Sequence, residues 1–269
     1  MTNIRKLYLY LRYYLHLPDR KGDSNPIICI IDNRLKHPGL VDRFKTIITA
    51  YFISKHNNKP FKILFSIPFN LSDYLAPNEY DWSCTQDDLQ FSLISSRILT
   101  YPRFKLSQLD PSIEYHVYDG GDYFPHLFAS WVMTINDGGK NEYTELWGEL
   151  FHELFKPSEF LHKELVSVGK PEDSYIAVHF RFLNLLGGFE VVKQPITLNN
   201  EERVSLVEKC LGTIQKIRKE TKMPVMVFSD SNTFQDKVAL EEGVLIIDGK
   251  IEHVSFLKDE NSAMKIFLD

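Results

Sequence analysis

Two short apolar runs on either side of a helical pattern restrict the fold of this chain most strongly. The first, IICII from Ile27 to Ile31, has no polar position, as expected of a strand covered on both faces. The second lies in PFKILFSI, beginning at Pro60. Between them, VDRFKTIITAYFISKHN repeats Phe44, Ile47, Ile48, Tyr51 and Phe52 at helical spacing, and His56-Asn57-Asn58 closes the helix. Asp32 to Asp42 is a polar loop holding Pro38 and Gly39. Strand, loop, helix and strand make a βαβ unit with a right-handed crossover.

The middle of the chain is less regular. SSRILTYPRF and SIEYHVYDGGDYF read as strand-and-turn segments, with a turn at Asp119-Gly120-Gly121-Asp122. EYTELWGELFHELF, from Glu142 to Phe155, is an amphipathic helix whose apolar stripe is Leu146, Trp147, Leu150 and Leu154. A second helix, SEFLHKELVSVG, follows Pro157 and places a domain boundary near residues 165–173. The alternation then restarts. SYIAVHFRF is a strand, NNEERVSLVEKCLGTIQKIRKETK a long helix with Glu201 and Glu202 in its first turn, and PVMVFSD a strand. NTFQDKVALEEG is a helix, VLIID a third strand, and DENSAMKIFLD has helical patterning. The fold class is therefore α/β, with an N-terminal domain over residues 1–165 and a C-terminal one over 166–269.

With 269 residues, 43% hydrophobic and 25% charged, the chain can bury a sizeable core. A net charge of −5 argues against nucleic acid as a partner, which needs a concentrated basic field. Cys29, Cys84 and Cys210 fit neither a disulfide framework nor a zinc spacing; three reduced thiols point to a reducing cytoplasm. No apolar run is long enough to span a membrane. Residues 4–17 are rich in Leu and Tyr but interrupted by Arg5, Lys6 and Arg12. They read as a helix packed on its own domain, with peripheral contact at the inner face of a membrane as the alternative.

Ligands of open α/β sheets bind beyond the carboxyl ends of the strands. That selects the Asp32 to Arg43 loop, the segment from His179 to Gly188, and Ser229-Asp230-Ser231. Alternation along a strand puts His179 and Arg181 on one face and Phe180 on the other. A guanidinium can hold two phosphate oxygens at once. By itself, H-x-R favours the plainer reading, an arginine paired with a neighbouring carboxylate. P-loop, dinucleotide-fingerprint and G-x-S-x-G patterns are missing. HELFK at His152 lacks the second histidine of a zincin, and it and His162 read as surface residues.

Taken in order, the loops resemble those of the fucosyltransferase-like glycosyltransferases, including the nodulation fucosyltransferases and their bacterial relatives. GLVDRFKTIITAYFISKHNNKPFKILF is similar to their opening, SIPFNLSDYLAPNEYDW to the region that follows, and VHFRFLN to their H-x-R strand end, where Asn184 completes H-x-R-x-x-N. VFSDSNTF resembles the later strand and turn that lie against the donor. The resemblance covers most of residues 27–269. It implies a GT-B architecture of two Rossmann-like domains facing across a cleft, and transfer of a sugar from GDP-fucose or a related sugar nucleotide to a glycan or polysaccharide acceptor. Inversion, without a metal or other cofactor, belongs to the same expectation. The chain departs from the family at Phe182, where a second basic residue often stands. It also ends at Asp269 in mid-pattern, so the second domain is expected to be C-terminally incomplete.

By this resemblance Arg181 stabilises the leaving diphosphate and His179 hydrogen-bonds it. Asp230 and Ser231 contact ribose or diphosphate, Gly39 permits close backbone approach, and Arg43 supplies a second cation. The acceptor hydroxyl needs a carboxylate to take its proton, and Asp42 and Glu190 are the candidates. Each is equally a structural ion-pair partner, for Arg43 and Lys193. Aromatics of the Tyr74 to Trp82 and Asp119 to Phe124 loops would stack on acceptor sugars. The alternative function is a non-catalytic sugar-binding or scaffolding protein that keeps a transferase fold.

Overall fold

The computed structural model describes residues 2–14, 25–32, 39–99, 109–118, 140–168, 174–187, 198–252, 254, 257 and 260–268. The chain divides into two compact units, Met1–Ser158 and Glu159–Asp269.

In the first unit β1 (Ile27–Ile31) is buried at all five positions, because it pairs in parallel on both edges, with β2 (Phe61–Phe65) and β5 (Glu114–Val117). Adding β4 (Ser96–Leu99) gives the order β2-β1-β5-β4. The crossover helix α2 (Leu40–His56) carries the expected stripe, all of it buried, but also buries Arg43, Thr46, Thr49 and Ser54. The small polar members of that set are accommodated inside the helix: the hydroxyls of Thr46, Thr49 and Ser54 donate to the carbonyls of Asp42, Lys45 and Tyr51.

Helix α1 (Thr2–Tyr14) packs on its own unit. Leu9 and Tyr13 join Ile28, Ile30, Leu64, Phe91 and Tyr118 in one cluster. The Tyr13 hydroxyl lies 2.5 Å from His116 Nδ1, whose ring Nε2 is 2.5 Å from a Glu114 carboxylate oxygen, so a buried polar chain ties α1 to the sheet. Leu7, Tyr8, Leu11 and Tyr14 remain exposed. Among the described residues no helix is long and apolar enough to cross a membrane.

A two-stranded antiparallel pair, β3 (Leu75–Pro77) with β6 (Phe155–Pro157), is an element the sequence pattern did not reveal. Helix α3 (Lys140–Leu154) accordingly stops one residue short of Phe155. The aromatics expected to stack on an acceptor are instead structural. Tyr74 and Trp82 are 2% and 3% exposed; Trp82 Nε1 donates to the Leu154 carbonyl, and the Tyr80 hydroxyl accepts from the Phe61 N–H. These bonds tie Trp82 to the end of α3 and Tyr80 to the start of β2, and burial removes Tyr74 and Trp82 as a sugar platform. The Asp119 to Phe124 loop lies outside the described residues.

The second unit opens with α4 (Glu159–Ser167), ahead of the expected boundary, and α4 contacts α7 (Glu260–Leu268). Its sheet is parallel, in the order β7 (Ile176–Phe180), β8 (Val225–Ser229), β9 (Val244–Leu245); β9 is shorter than the VLIID run suggests. Helix α5 (Asn200–Thr221) starts at a reciprocal cap in which Asn199 and Glu202 satisfy each other's backbone N–H. With α6 (Asn232–Val238) it covers the sheet: Val207, Ile214, Val225, Val227, Phe234 and Val238 form the core.

Candidate functional site

The H-x-R segment stands at the carboxyl end of β7. That strand is half-buried rather than enclosed: Ile176, Val178 and Phe180 pack toward the core, while Ala177 and His179 are exposed. Arg181 follows on the exposed side. Phe182 turns back into the core at 4% exposure, edge-on to Phe234 at 4.8 Å and stacked with Phe180 at 6.2 Å. The F-R-F triplet thus anchors both flanks of Arg181 in the core and leaves the arginine outside.

The turn beyond is fixed from β8. One Asp230 oxygen accepts the Phe182 N–H at 2.7 Å and the other the Leu183 N–H at 2.9 Å. Leu183 sits at φ 53°, a left-handed conformation that costs a branched residue about 1–2 kcal/mol and that this double acceptor holds in place. Leu185 N–H to the Phe182 carbonyl and Gly187 N–H to the Asn184 carbonyl close two successive turns. The Ser231 hydroxyl accepts the Phe234 N–H and caps α6. Asp230 and Ser231, expected to touch the donor, are both engaged by backbone N–H groups.

Among the described residues the side chains of His179 and Arg181 have no hydrogen-bond or ion-pair partner. The plainer reading of H-x-R required a carboxylate on Arg181. The one acid described at the turn, Asp230, is occupied by backbone N–H groups.

The remaining expected residues belong to the first unit or lie outside the description. Gly39 is the N-cap of α2 at φ −58°, and a Cβ there would meet nothing within 4 Å, so the fold itself does not require glycine. Asp42 is 45% exposed on its side chain and pairs with Lys45 at 3.1 Å, not with Arg43. Arg43 is 3% exposed; it donates to the Ile67 carbonyl at 3.1 Å and lies over the Phe65 ring. Burial lowers its pKa to about 10, which leaves it a cation at neutral pH. Glu190 and Lys193 are outside the described residues. In this unit the order β2-β1-β5-β4 puts the topological switch between β1 and β5. There Cys29, Arg43, Thr46, Val117 and Tyr118 line a crevice too narrow to admit water. Burial pushes the Cys29 thiol up to about 12, so it is no nucleophile. All three cysteines are free, and among the described residues no cluster of side chains could hold a metal.

Sequence reasoning did not single out Arg203, whose guanidinium lies against Gly187 of this turn. Its signal was a cation near the start of a helix, where the dipole favours anions.

No family model and no curated protein matches the sequence. Among solved structures, the fucosyltransferase NodZ from Bradyrhizobium aligns with a TM-score of 0.50 at 12% identity, over 84% of this chain and 79% of that one. Its selenomethionine form gives 0.51 over the same shares at the same 12% identity. The chain shares the GT-B fold of NodZ. A NodZ alpha-1,6-fucosyltransferase soaked with GDP-fucose gives 0.49 at 12% identity, over 91% of this chain and 81% of that one.

Proposed function

We propose that this chain is a glycosyltransferase that moves fucose from GDP-fucose, or a related sugar from its nucleotide, to a glycan or polysaccharide acceptor with inversion. The observation that carries the reading is the Arg181 guanidinium, exposed beyond the carboxyl end of a parallel strand and unpaired among the described residues, in a chain with the fold of a fucosyltransferase.

In such a transfer the acceptor oxygen attacks the anomeric carbon as the bond to the β-phosphate breaks. Negative charge grows on the departing diphosphate. Arg181, held outward by Phe180 and Phe182, offers a planar pair of N–H donors to that charge. His179 stands two residues earlier on the same exposed side and hydrogen-bonds a neighbouring phosphate oxygen. The acceptor proton passes to a carboxylate, for which Asp42 and Glu190 remain the candidates. The donors needed for charge stabilisation come from the protein, and the chemistry we infer assigns no step to a metal. We also infer a cytoplasmic enzyme whose exposed Leu7, Tyr8, Leu11 and Tyr14 touch a membrane surface.

Arg181→Ala tests the reading. It should lower transfer from GDP-fucose at least about 100-fold, the scale of deleting one charge-stabilising donor. Calorimetry on the intact protein should show GDP binding in preference to UDP. Near-normal transfer by the variant, or binding of neither nucleotide by the wild type, would sink the proposal.

A further inference from the structure

Arg203, on α5, brings a second guanidinium against Gly187 in the turn that follows Arg181. Gly187 has a φ of 76°, and a Cβ built there would approach Arg203 Nη1 to 3.3 Å and Nη2 to 3.4 Å. Among the described residues the Nε of Arg203 is buried without a hydrogen-bond acceptor and the guanidinium has no ion-pair partner.

Two physical costs make this placement hard to explain as packing. Arg203 is the fourth residue of α5, close to the positive end of the helix dipole, which disfavours a cation. A buried N–H left without an acceptor costs about 1–3 kcal/mol. A bound anion would offset both. One guanidinium fork matches one phosphoryl group, whereas a diphosphate carries two. Phe182 is committed to the core and offers no charge, so the second cation must come from elsewhere, and the turn brings Arg203 to Gly187.

We propose that Arg203 is the second cation of the Arg181 anion site, so that the two arginines together bind both phosphoryl groups of a nucleoside diphosphate. This rests on the reading of the Arg181 turn as the donor site. Glycine at position 187 then leaves the guanidinium room, because a side chain there would press it aside by a few tenths of an ångström and strain a left-handed backbone.

The proposal is tested by calorimetric titration of the full chain with pyrophosphate, GDP and GMP, using wild type, Arg181→Gln, Arg203→Gln and Arg203→Lys, each with a thermal melt. Arg203→Gln should lose roughly 10- to 100-fold in affinity for pyrophosphate and GDP, the scale of one charge-assisted hydrogen-bonded contact. GMP should lose less, the melting temperature should hold, and Arg203→Lys should recover part of the pyrophosphate affinity. Wild-type affinity in Arg203→Gln overturns the proposal. So does an equal loss for GMP and GDP together with a lowered melting temperature, the outcome of a purely structural role. Should Arg203→Gln fail to fold, Gly187→Ala replaces it: reduced pyrophosphate affinity supports the proposal and unchanged affinity overturns it. Pyrophosphate binding through both arginines without GDP selectivity would sink the sugar-nucleotide reading and keep the paired site. GDP binding that needs Arg181 but not Arg203 would do the reverse.

Discussion

Asp230 illustrates how a single carboxylate shapes a turn. Its two oxygens accept the N–H groups of Phe182 and Leu183, and so fix where Arg181 leaves the strand. In Asp230→Asn one acceptor survives, while the amide NH2 faces the other N–H. Losing one hydrogen bond to a charged group should cost about 1.5–3 kcal/mol. We expect lower GDP affinity and a lower melting temperature from this variant, read by calorimetry and thermal unfolding. A variant that binds GDP as the wild type does would show that the turn holds without its clamp. At this scale the sequence was informative wherever alternation sets direction: His179 and Arg181 share the exposed side as the pattern requires. It failed where direction depends on tertiary packing. Tyr74 and Trp82 looked available because aromatic residues in a polar loop can face either way, yet both are buried. Phe182 read as a missing cation, whereas contact with Phe180 and Phe234 makes it the anchor of the turn.

Between elements, the join of α2 to α3 depends on Glu153. One of its oxygens accepts from the Tyr51 hydroxyl at 2.5 Å and the other pairs with Lys55 at 2.5 Å. Burial raises the Glu153 pKa, but the hydrogen bonds from Lys55 and Tyr51 outweigh it and hold the carboxyl below its ordinary value of 4.5. Because the folded value is the lower one, this stabilisation is present above the ordinary value and is lost as pH falls through the folded value. Glu153→Gln should therefore destabilise by about 1 kcal/mol near neutrality, a modest figure because Lys55 is solvated. The difference from wild type should shrink below the ordinary value of 4.5. Urea unfolding at several pH values measures it, and a gap that persists undiminished at low pH would contradict the clasp. Helices α2, α3 and α5 were legible because long apolar periodicity is a strong signal. Strands β3 and β6, three residues each, are too short to carry a period, and only their pairing across the chain defines them.

At the scale of the whole chain, the restart of strand-helix alternation after residue 173 showed that two α/β units were present. Their border was harder to read, because α4 follows Pro157 without a glycine- or serine-rich linker, and its contact with α7 is long-range. The second unit has its own parallel sheet and its own core. It also holds His179, Arg181, Asn184, Arg203, Asp230 and Ser231. Nucleotide recognition should therefore travel with this unit. Expressed alone, residues 159–269 should fold cooperatively and bind GDP within roughly tenfold of the full chain, a difference of about 1.4 kcal/mol. Residues 1–158 should bind none, since Arg43 is buried against Phe65 and its crevice admits no water. Circular dichroism establishes folding and calorimetry the affinity. A folded C-terminal fragment without measurable GDP binding, beside a full chain that binds, would show that the nucleotide needs residues of the first unit. The Gly39 to Arg43 segment would then be the first place to search.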